Sequence, residues 1–232
     1  MKSNLFPVVI LAGGLATRLR PVTEKIPKSL LSVKGQPFIF HQLKLLQQQG
    51  VRKVVLCVGF LAEKIQQYVG DGKAFGLSVE YSYDGDMLLG TAGAIQNALP
   101  LLDDHFFVLY GDSYLTCPYA AVQESFIQQQ KMALMTVFRN DGQWDKSNVV
   151  FRNHEILNYS KAQQTIDMHH IDYGLGVFNQ RVFSTVSHYP YDLATVYQHC
   201  LEQHQLAAFE VTERFYEVGS FSGIEELEAY LV

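Results

Sequence analysis

The chain has 232 residues and a mass of 26.3 kDa; 48% of its residues are hydrophobic, 12% aromatic and 18% charged, and the net charge is −5 at pH 7. Such a composition can bury a core without disulfides or structural metal, and it excludes collagen, coiled coil and intrinsic disorder. The acidic balance argues against a nucleic-acid surface, which needs clustered Lys and Arg.

Val8 to Leu11 is a short β-branched run stopped by Ala12, Gly13 and Gly14, and predicts a strand. Ile39, Leu43 and Leu46 recur at i, i+4, i+7 behind Pro37, read as a first-turn residue, and Gly50 is the stop of that helix. Val54 to Val58, closed by Gly59, predicts a second strand, and Leu61, Ile65, Tyr68 and Val69 before Gly70 a second helix. Thr91 reads as the cap of a third helix carrying Ile95, Ala98 and Leu99 before Pro100. Phe106 to Tyr110, stopped by Gly111, is a third strand. Apolar runs of this length bounded by glycine fit strands covered on both faces, as in a parallel sheet.

Further on, Met132 to Phe138, Val149 to Phe151 and Leu175 to Phe178 read as strands, and Ala194 to His204 and Ile224 to Leu231 as helices. His169 and His170, adjacent and pointing apart, read as a solvated loop. For Trp144 a pocket wall and core packing are both open. Cys57, Cys117 and Cys200 are widely spaced and form no CxxC, so reduced, mostly buried thiols are expected. The longest apolar run, Val54 to Ala62, is interrupted by Gly59 and is far shorter than the roughly 20 residues that span a bilayer. No secretory signal is read at the N-terminus. A cytoplasmic protein with no membrane or nucleic-acid partner is expected.

Alternating strands and helices predict an α/β fold, a three-layer α/β/α sandwich with a Rossmann-like, mixed and mostly parallel sheet, forming one domain over residues 1–232. Ligands in such sheets bind beyond the carboxyl ends of the strands, which directs attention to Gly13, Gly59 and Gly111. After the first strand the chain reads Leu-Ala-Gly-Gly-Leu-Ala-Thr-Arg-Leu-Arg-Pro-Val-Thr-Glu-Lys-Ile-Pro-Lys from Leu11 to Lys28. Paired glycines there let the backbone approach a ligand and aim N–H groups at an anion. The segment is neither a Walker A loop, since no Gly-Lys-Ser/Thr follows, nor a GxGxxG fingerprint. Arg18 and Lys28 give a fork-shaped guanidinium and a point-charge ammonium to one polyphosphate. Surface solvation suffices for Arg20, Lys25 and Lys34. Asp112, directly after the third strand, is the best metal-ligand candidate, because Mg²⁺ is held by one or two carboxylates plus substrate phosphates.

The run from Leu11 through Gly35, with Ala-Gly-Gly, Thr-Arg-Leu-Arg-Pro, Pro-Lys-Ser-Leu and Val-Lys-Gly-Gln-Pro, resembles the signature of sugar-phosphate nucleotidyltransferases, or NDP-sugar pyrophosphorylases. Leu89-Gly90-Thr91-Ala92-Gly93 and Tyr110-Gly111-Asp112 extend the resemblance. It implies a glycosyltransferase-A-like fold and an enzyme that transfers a nucleoside monophosphate from an NTP to a sugar 1-phosphate, releasing pyrophosphate, with Mg²⁺. The nucleotide part would occupy residues of about 1–115 and the sugar part about 116–232.

By position, the resemblance implies catalytic roles for Arg18, Lys28 and Asp112. It implies nucleotide contacts from Leu11, Ala12, Gly13, Gly14, Arg18, Lys28, Gly90, Thr91 and Asp112. Asp84 and Asp86 both lie near the expected base reader, and Leu88 replaces a proline common in the family. Glu217, in Phe215-Tyr216-Glu217-Val218-Gly219-Ser220, stands where the family carries a second metal-binding Asp, so the metal set would be Asp112 and Glu217. Lys161, Asp172 and Gly174 resemble the sugar-binding positions, with Asp at an Asn place.

Among small members of the family the compact chain resembles those that use heptose 1-phosphate with GTP or N-acetylmuramic acid 1-phosphate with UTP, and the heptose type is favoured; a homodimer is entertained. Two other readings are a nucleotide-sugar sensor without turnover, motivated by Glu217, and a cytidylyltransferase acting on a non-sugar phosphate such as phosphocholine.

Overall fold

The computed structural model describes residues 4–14, 19, 21–85, 87, 89–186 and 189–231. Arg18, Arg20, Asp86 and Leu88 lie outside the described residues. In chain order the strands and α-helices are β1 (Val8–Leu11), β2 (Ser32–Val33), β3 (Gln36–Pro37), α1 (Phe38–Gln49), β4 (Lys53–Val58), α2 (Ala62–Val69), β5 (Ser78–Tyr83), α3 (Gly90–Ala98), β6 (His105–Tyr110) and β7 (Ser113–Tyr114). They continue with α4 (Tyr119–Gln129), β8 (Ala133–Arg139), β9 (Val149–Arg152), β10 (Glu155–Tyr159), β11 (His170–Asn179), α5 (Leu193–Glu202), β12 (Leu206–Val211), β13 (Tyr216–Glu217) and α6 (Phe221–Tyr230).

The central sheet is nine-stranded and mixed. Strands β5, β4, β1 and β6 lie side by side and parallel. Beyond β6 come β11, antiparallel to β6, then β8, antiparallel to β11, and β12, parallel to β8, while the β9–β10 hairpin attaches to β11. The chain moves outward from β1 to β4 to β5 and then returns to place β6 on the other side of β1, so the strand order reverses between β1 and β6. That reversal is where an open α/β sheet leaves a crevice at the carboxyl ends of its strands.

Side-chain alternation makes this a three-layer α/β/α arrangement. Val8 and Ile10 of β1, Val54, Leu56 and Val58 of β4, and Phe107 and Leu109 of β6 join a core with Ile39 and Leu43 of α1, Ile65 of α2 and Val122 of α4. Their neighbours Val9, Val55, Cys57, Phe106 and Val108 face the other way, into a second core with Ile95 of α3 and Val196 and Tyr197 of α5. Strands buried on both faces explain why these segments are nearly continuous apolar runs. The three cysteines are free and buried.

Several local expectations change in the fold. Pro37 is the residue just before α1 and stands at its cap rather than in its first turn, while Gly50 ends the helix in the left-handed region at φ 97°. Thr91 lies inside α3 and does not cap it; its Oγ1 accepts the Leu193 N–H at 2.7 Å and so serves the start of α5. His170 is not in a solvated loop: it opens β11, is buried, and its Nε2 meets Glu210 Oε1 at 3.0 Å, whereas His169 is exposed. Strand β11 begins five residues before Leu175, because the register against β8 shifts between Asp172 and Gly176 around Gly174 at φ 98°. Such a bulge breaks the apolar pattern while continuing the strand.

Candidate active site

The crevice is a cavity of about 590 Å³ lined by Leu11, Ala12, Gly13, Gly14, Lys28, Gly90, Thr91 and Asp112, together with Ser29, Cys57, Asp84, Ala94, Tyr110, Gly111 and Pro190. Its floor follows from the register: Leu11 pairs with Cys57 on one side and Tyr110 on the other, so β1, β4 and β6 end level. Ala12 N donates to Cys57 O at 2.8 Å and Gly111 N to Leu11 O at 3.0 Å, which carries the ladder one residue past the strands. A Cβ at Gly111 would run into the Leu11 carbonyl oxygen, and one at Gly13 would sit 2.9 Å from Asp84 Oδ2. Glycine is thus required at 111 for backbone approach and at 13 to admit the Asp84 carboxylate.

Lys28 starts a 3₁₀ turn, Lys28–Leu30, set by Pro27. Its Nζ donates to Asp112 Oδ2 at 2.9 Å, bridging 84 positions of sequence, with both side chains partly open to the cavity. The Ser113 hydroxyl lies 3.4 Å from the other Asp112 oxygen. Burial lifts the Asp84 carboxyl above its ordinary value. The Cys57 thiol is pushed far up, first by burial and then by Asp84, so it stays protonated and unreactive.

The amino end of α3 is closed by protein. Ala92 N and Gly93 N both donate to Tyr191 O, at 2.9 and 3.4 Å, and Tyr191 N donates to Leu89 O at 2.9 Å. A Cβ at Gly90 would meet the Tyr191 backbone, and one at Gly93 the Tyr189 ring. The glycines of Leu89 to Gly93 therefore serve packing against residues 189–191, and those two amides are not aimed at a ligand.

A second polar cluster shares a wall with the cavity. Lys161 Nζ donates to the Tyr110 hydroxyl at 3.0 Å and lies 4.9 Å from the centre of its ring. Asp172 accepts from Gly174 N at 3.1 Å and from Tyr159 OH at 3.3 Å, and its own N–H donates to Asn148 Oδ1 at 2.9 Å. Burial raises the Asp172 carboxyl, and Lys161 is the strongest influence opposing that rise. The structure thus brings Lys161, Asp172 and Gly174 together and adds Tyr110, Tyr159 and Asn148, which the sequence reading missed. Tyr110 had a signal: it is the last residue of a strand whose carboxyl end faces the crevice.

Glu217 sits on β13 opposite Ser113 of β7, and Val218 N donates to Asp112 O at 2.9 Å. Its side chain lines a separate, smaller cavity of about 210 Å³ with Trp144, Arg214, Tyr216 and Glu226. There Arg214 stacks 3.4 Å above the Trp144 ring and pairs with Glu226, which makes the exposed Trp144 a wall of that cavity rather than core. Among the described residues no three His, Cys, Asp or Glu side chains converge to hold a metal. The donors present at the cavity are hard oxygens, the Asp112 carboxylate and the Ser113 hydroxyl, while Glu217 adjoins them through its backbone and has its side chain in the smaller cavity. That set suits Mg²⁺, which completes its shell with phosphate and water, and does not suit a soft or closed site.

A sheet that reverses its strand order beside a glycine turn, with a lysine–carboxylate pair and a second polar cluster on one wall, defines an α/β protein with a ligand cavity at its switch point. No helix among the described residues is long and apolar enough to cross a membrane. The family model described as nucleotidyl transferase matches residues 7–147, and the chain belongs to that family.

Among curated proteins the chain is 31% identical over 133 residues to D-glycero-alpha-D-manno-heptose 1-phosphate guanylyltransferase of Campylobacter jejuni, covering 57% of this chain and 58% of that one. It is 34% identical over 140 residues to UTP–glucose-1-phosphate uridylyltransferase of a Synechocystis strain, covering 56% of this chain and 36% of that one. It is 28% identical over 217 residues to the catalytic subunit beta of mannose-1-phosphate guanylyltransferase of Drosophila melanogaster, covering 91% and 58%. The matched regions thus span between about a third and three-fifths of these relatives' lengths. The structure of HddC from Yersinia pseudotuberculosis complexed with GMP-PN superimposes with a TM-score of 0.83 at 24% identity, covering 98% of this chain and all of that one, a likeness of fold.

Proposed function

We propose that this protein transfers a nucleoside monophosphate from an NTP to a sugar 1-phosphate, releasing pyrophosphate. The observation that carries the reading is one cavity at the β1–β6 reversal that holds the glycine turn, Lys28 and Asp112 and shares Tyr110 with the Lys161–Asp172 cluster. Two substrates can meet across that shared wall. The NTP lies along Gly13 and Gly14, with Arg18 and Lys28 on its phosphates, and the sugar 1-phosphate enters from Lys161, Asp172 and Gly174. Residues 1–232 act as one domain, since strands from both halves form a single sheet.

The acceptor needs no general base, because a phosphate monoester with a second pKa near 6 is already a dianion at neutral pH. Its oxygen attacks the α-phosphorus in line, the new P–O bond forms, and the bond to the pyrophosphate oxygen breaks. Lys28 offsets the negative charge that accumulates, as fixed cations do in other phosphoryl-type transfers. Asp112 and Glu217 would hold Mg²⁺, which when bound supplies further charge neutralisation and alignment of the phosphates.

Asp84 supports guanine as the base. Its carboxylate lines the cavity, is half-buried and has no hydrogen-bond partner within reach among the described residues. Guanine offers two adjacent N–H donors to such a group, whereas cytosine, uracil and adenine do not. Together with the C. jejuni relative this supports GTP and a heptose 1-phosphate. An NTP substrate and three free thiols support a cytoplasmic location.

The test is pyrophosphate release from each of the four NTPs mixed with Mg²⁺ and a panel of sugar 1-phosphates plus phosphocholine. Release with GTP and a sugar 1-phosphate is expected. Turnover confined to CTP and phosphocholine would replace this reading with the cytidylyltransferase one. Tight binding of nucleotide sugar with no release from any mixture would replace it with a sensor.

A further inference from the structure

The last residue of β6, Tyr110, lines the nucleotide-side cavity and carries the hydrogen bond to Lys161 of the second cluster. An ammonium group only donates, so the phenol oxygen must be the acceptor of that 3.0 Å bond. The phenol's own hydrogen is left to give, and among the described residues no acceptor lies within hydrogen-bond distance of it. Asp172, the nearest carboxylate of the cluster, is engaged by Gly174 N and the Tyr159 hydroxyl.

The ring is held in place. Gly174, at the bulge of β11, packs on it so closely that a Cβ would come 3.3 Å from Tyr110 Cδ2, and the Lys161 ammonium is seated at its hydroxyl end. The result is a fixed pair of donors, phenol and ammonium, 3.0 Å apart, with no acceptor between them. Two donors at that spacing match two oxygens of one anionic group. A sugar hydroxyl, which is itself a donor, would find no use for half of its capacity there. Tyr110 also stands two residues before Asp112, at the point where the cavity adjoins the Lys161–Asp172 cluster.

With Lys161 on the acceptor's phosphate, as the family resemblance implies, we propose that the Tyr110 hydroxyl holds a second non-attacking oxygen of that phosphate, leaving the third to face the α-phosphorus of the nucleotide. The assignment rests on the functional reading above and adds to it the group that orients the nucleophile. It changes no bond in the reaction: the proton stays on Tyr110 and the leaving group remains pyrophosphate.

Steady-state kinetics of Tyr110→Phe test this, with acceptor and NTP varied separately and at least two sugar 1-phosphates. Losing one hydrogen bond to a charged group should raise the acceptor KM about 10- to 100-fold while the NTP KM moves by less than about threefold. The penalty should be the same for every sugar, because the contact is to phosphate. Lys161→Met should show the same acceptor-only defect, and the double variant should lose less than the product of the two. An unchanged acceptor KM in Tyr110→Phe overturns the proposal. So does a penalty that varies by more than about tenfold between sugars, which would place the contact on the ring. A wild type active only with phosphocholine refutes the sugar reading alone, and Tyr110 is then judged on that acceptor by the same criterion. A wild type that releases pyrophosphate with no acceptor removes both.

Discussion

The two sides of the cavity are built by different means. On the proposed nucleotide side the floor is backbone: β1, β4 and β6 end level, Ala12 and Gly111 extend the ladder, and Gly111 lets the main chain of β6 approach that of β1. On the proposed acceptor side the working groups are side chains, Tyr110, Lys161, Asp172, Tyr159 and Asn148, gathered from β6, β10, β11 and the loops between them and aligned by the Gly174 bulge. Parallel strands at a chain reversal form a generic phosphate cradle. A bulged antiparallel strand beside it allows the acceptor pocket to vary without disturbing that cradle.

The largest expected effect falls where the two sides meet. Asp112→Asn or Lys28→Ala should lower turnover by at least about 100-fold, the scale of losing a preorganised electrostatic contact. Because the two residues form one ion pair, the double variant should cost little more than the worse single one, as initial rates of pyrophosphate release will show. Equal turnover in either single variant would separate the ion pair from the chemistry.

Gly111→Ala strikes the backbone side: with a Cβ forced against the Leu11 carbonyl, the melting temperature should fall by about 5–10 °C. Unchanged melting would mean that the β1–β6 approach is not tight. Thr91→Val removes the acceptor of the Leu193 N–H and should cost about 1 kcal/mol, or about 2–4 °C in melting temperature.

The smallest effect concerns pH. Asp84 has a folded-state pKa raised by burial, so its contribution to stability is present below its unfolded value near 3.8 and is lost as pH rises through the raised value. Asp84→Asn should therefore stabilise the protein at pH 7 by about 2 °C or less, and this gain should shrink as the pH approaches 4. A gain that grows on acidification would reverse the assigned direction.

Legibility followed the same division. Strand β1 has the bounds that its residues announce, and Val54–Val58 and Phe106–Tyr110 lie inside β4 and β6, because doubly buried strands leave unbroken apolar runs. The glycine turn and Asp112 were visible for a related reason, because residues at strand ends adjoin those runs in sequence, whereas Lys28, well past β1, was read from its charge and the family resemblance. Strand β5 reads Ser-Val-Glu-Tyr-Ser-Tyr, an edge strand with exposed positions, and gives no such run. Strands β10 and β12 are likewise partly polar, whereas β9 was legible as Val149 to Phe151.

At the acceptor end Gly174 looked like a strand boundary and proved to be a bulge within β11. Thr91 looked like a helix cap and instead serves the start of α5, and Gly90 packs against Tyr191, contacts that no local pattern reveals, while both residues line the cavity. Tyr110 was counted as the end of a strand, since nothing near it in sequence points to Lys161, 51 positions away.

The claim that joins these regions is that one cavity brings an NTP and an acceptor phosphate together for direct transfer. Pyrophosphate release, followed in a single turnover with GTP and Mg²⁺ in the presence and absence of a sugar 1-phosphate, addresses it most directly. Release that requires the acceptor, with a nucleotide sugar formed in equal amount, is the predicted result; equal release without any acceptor would contradict it.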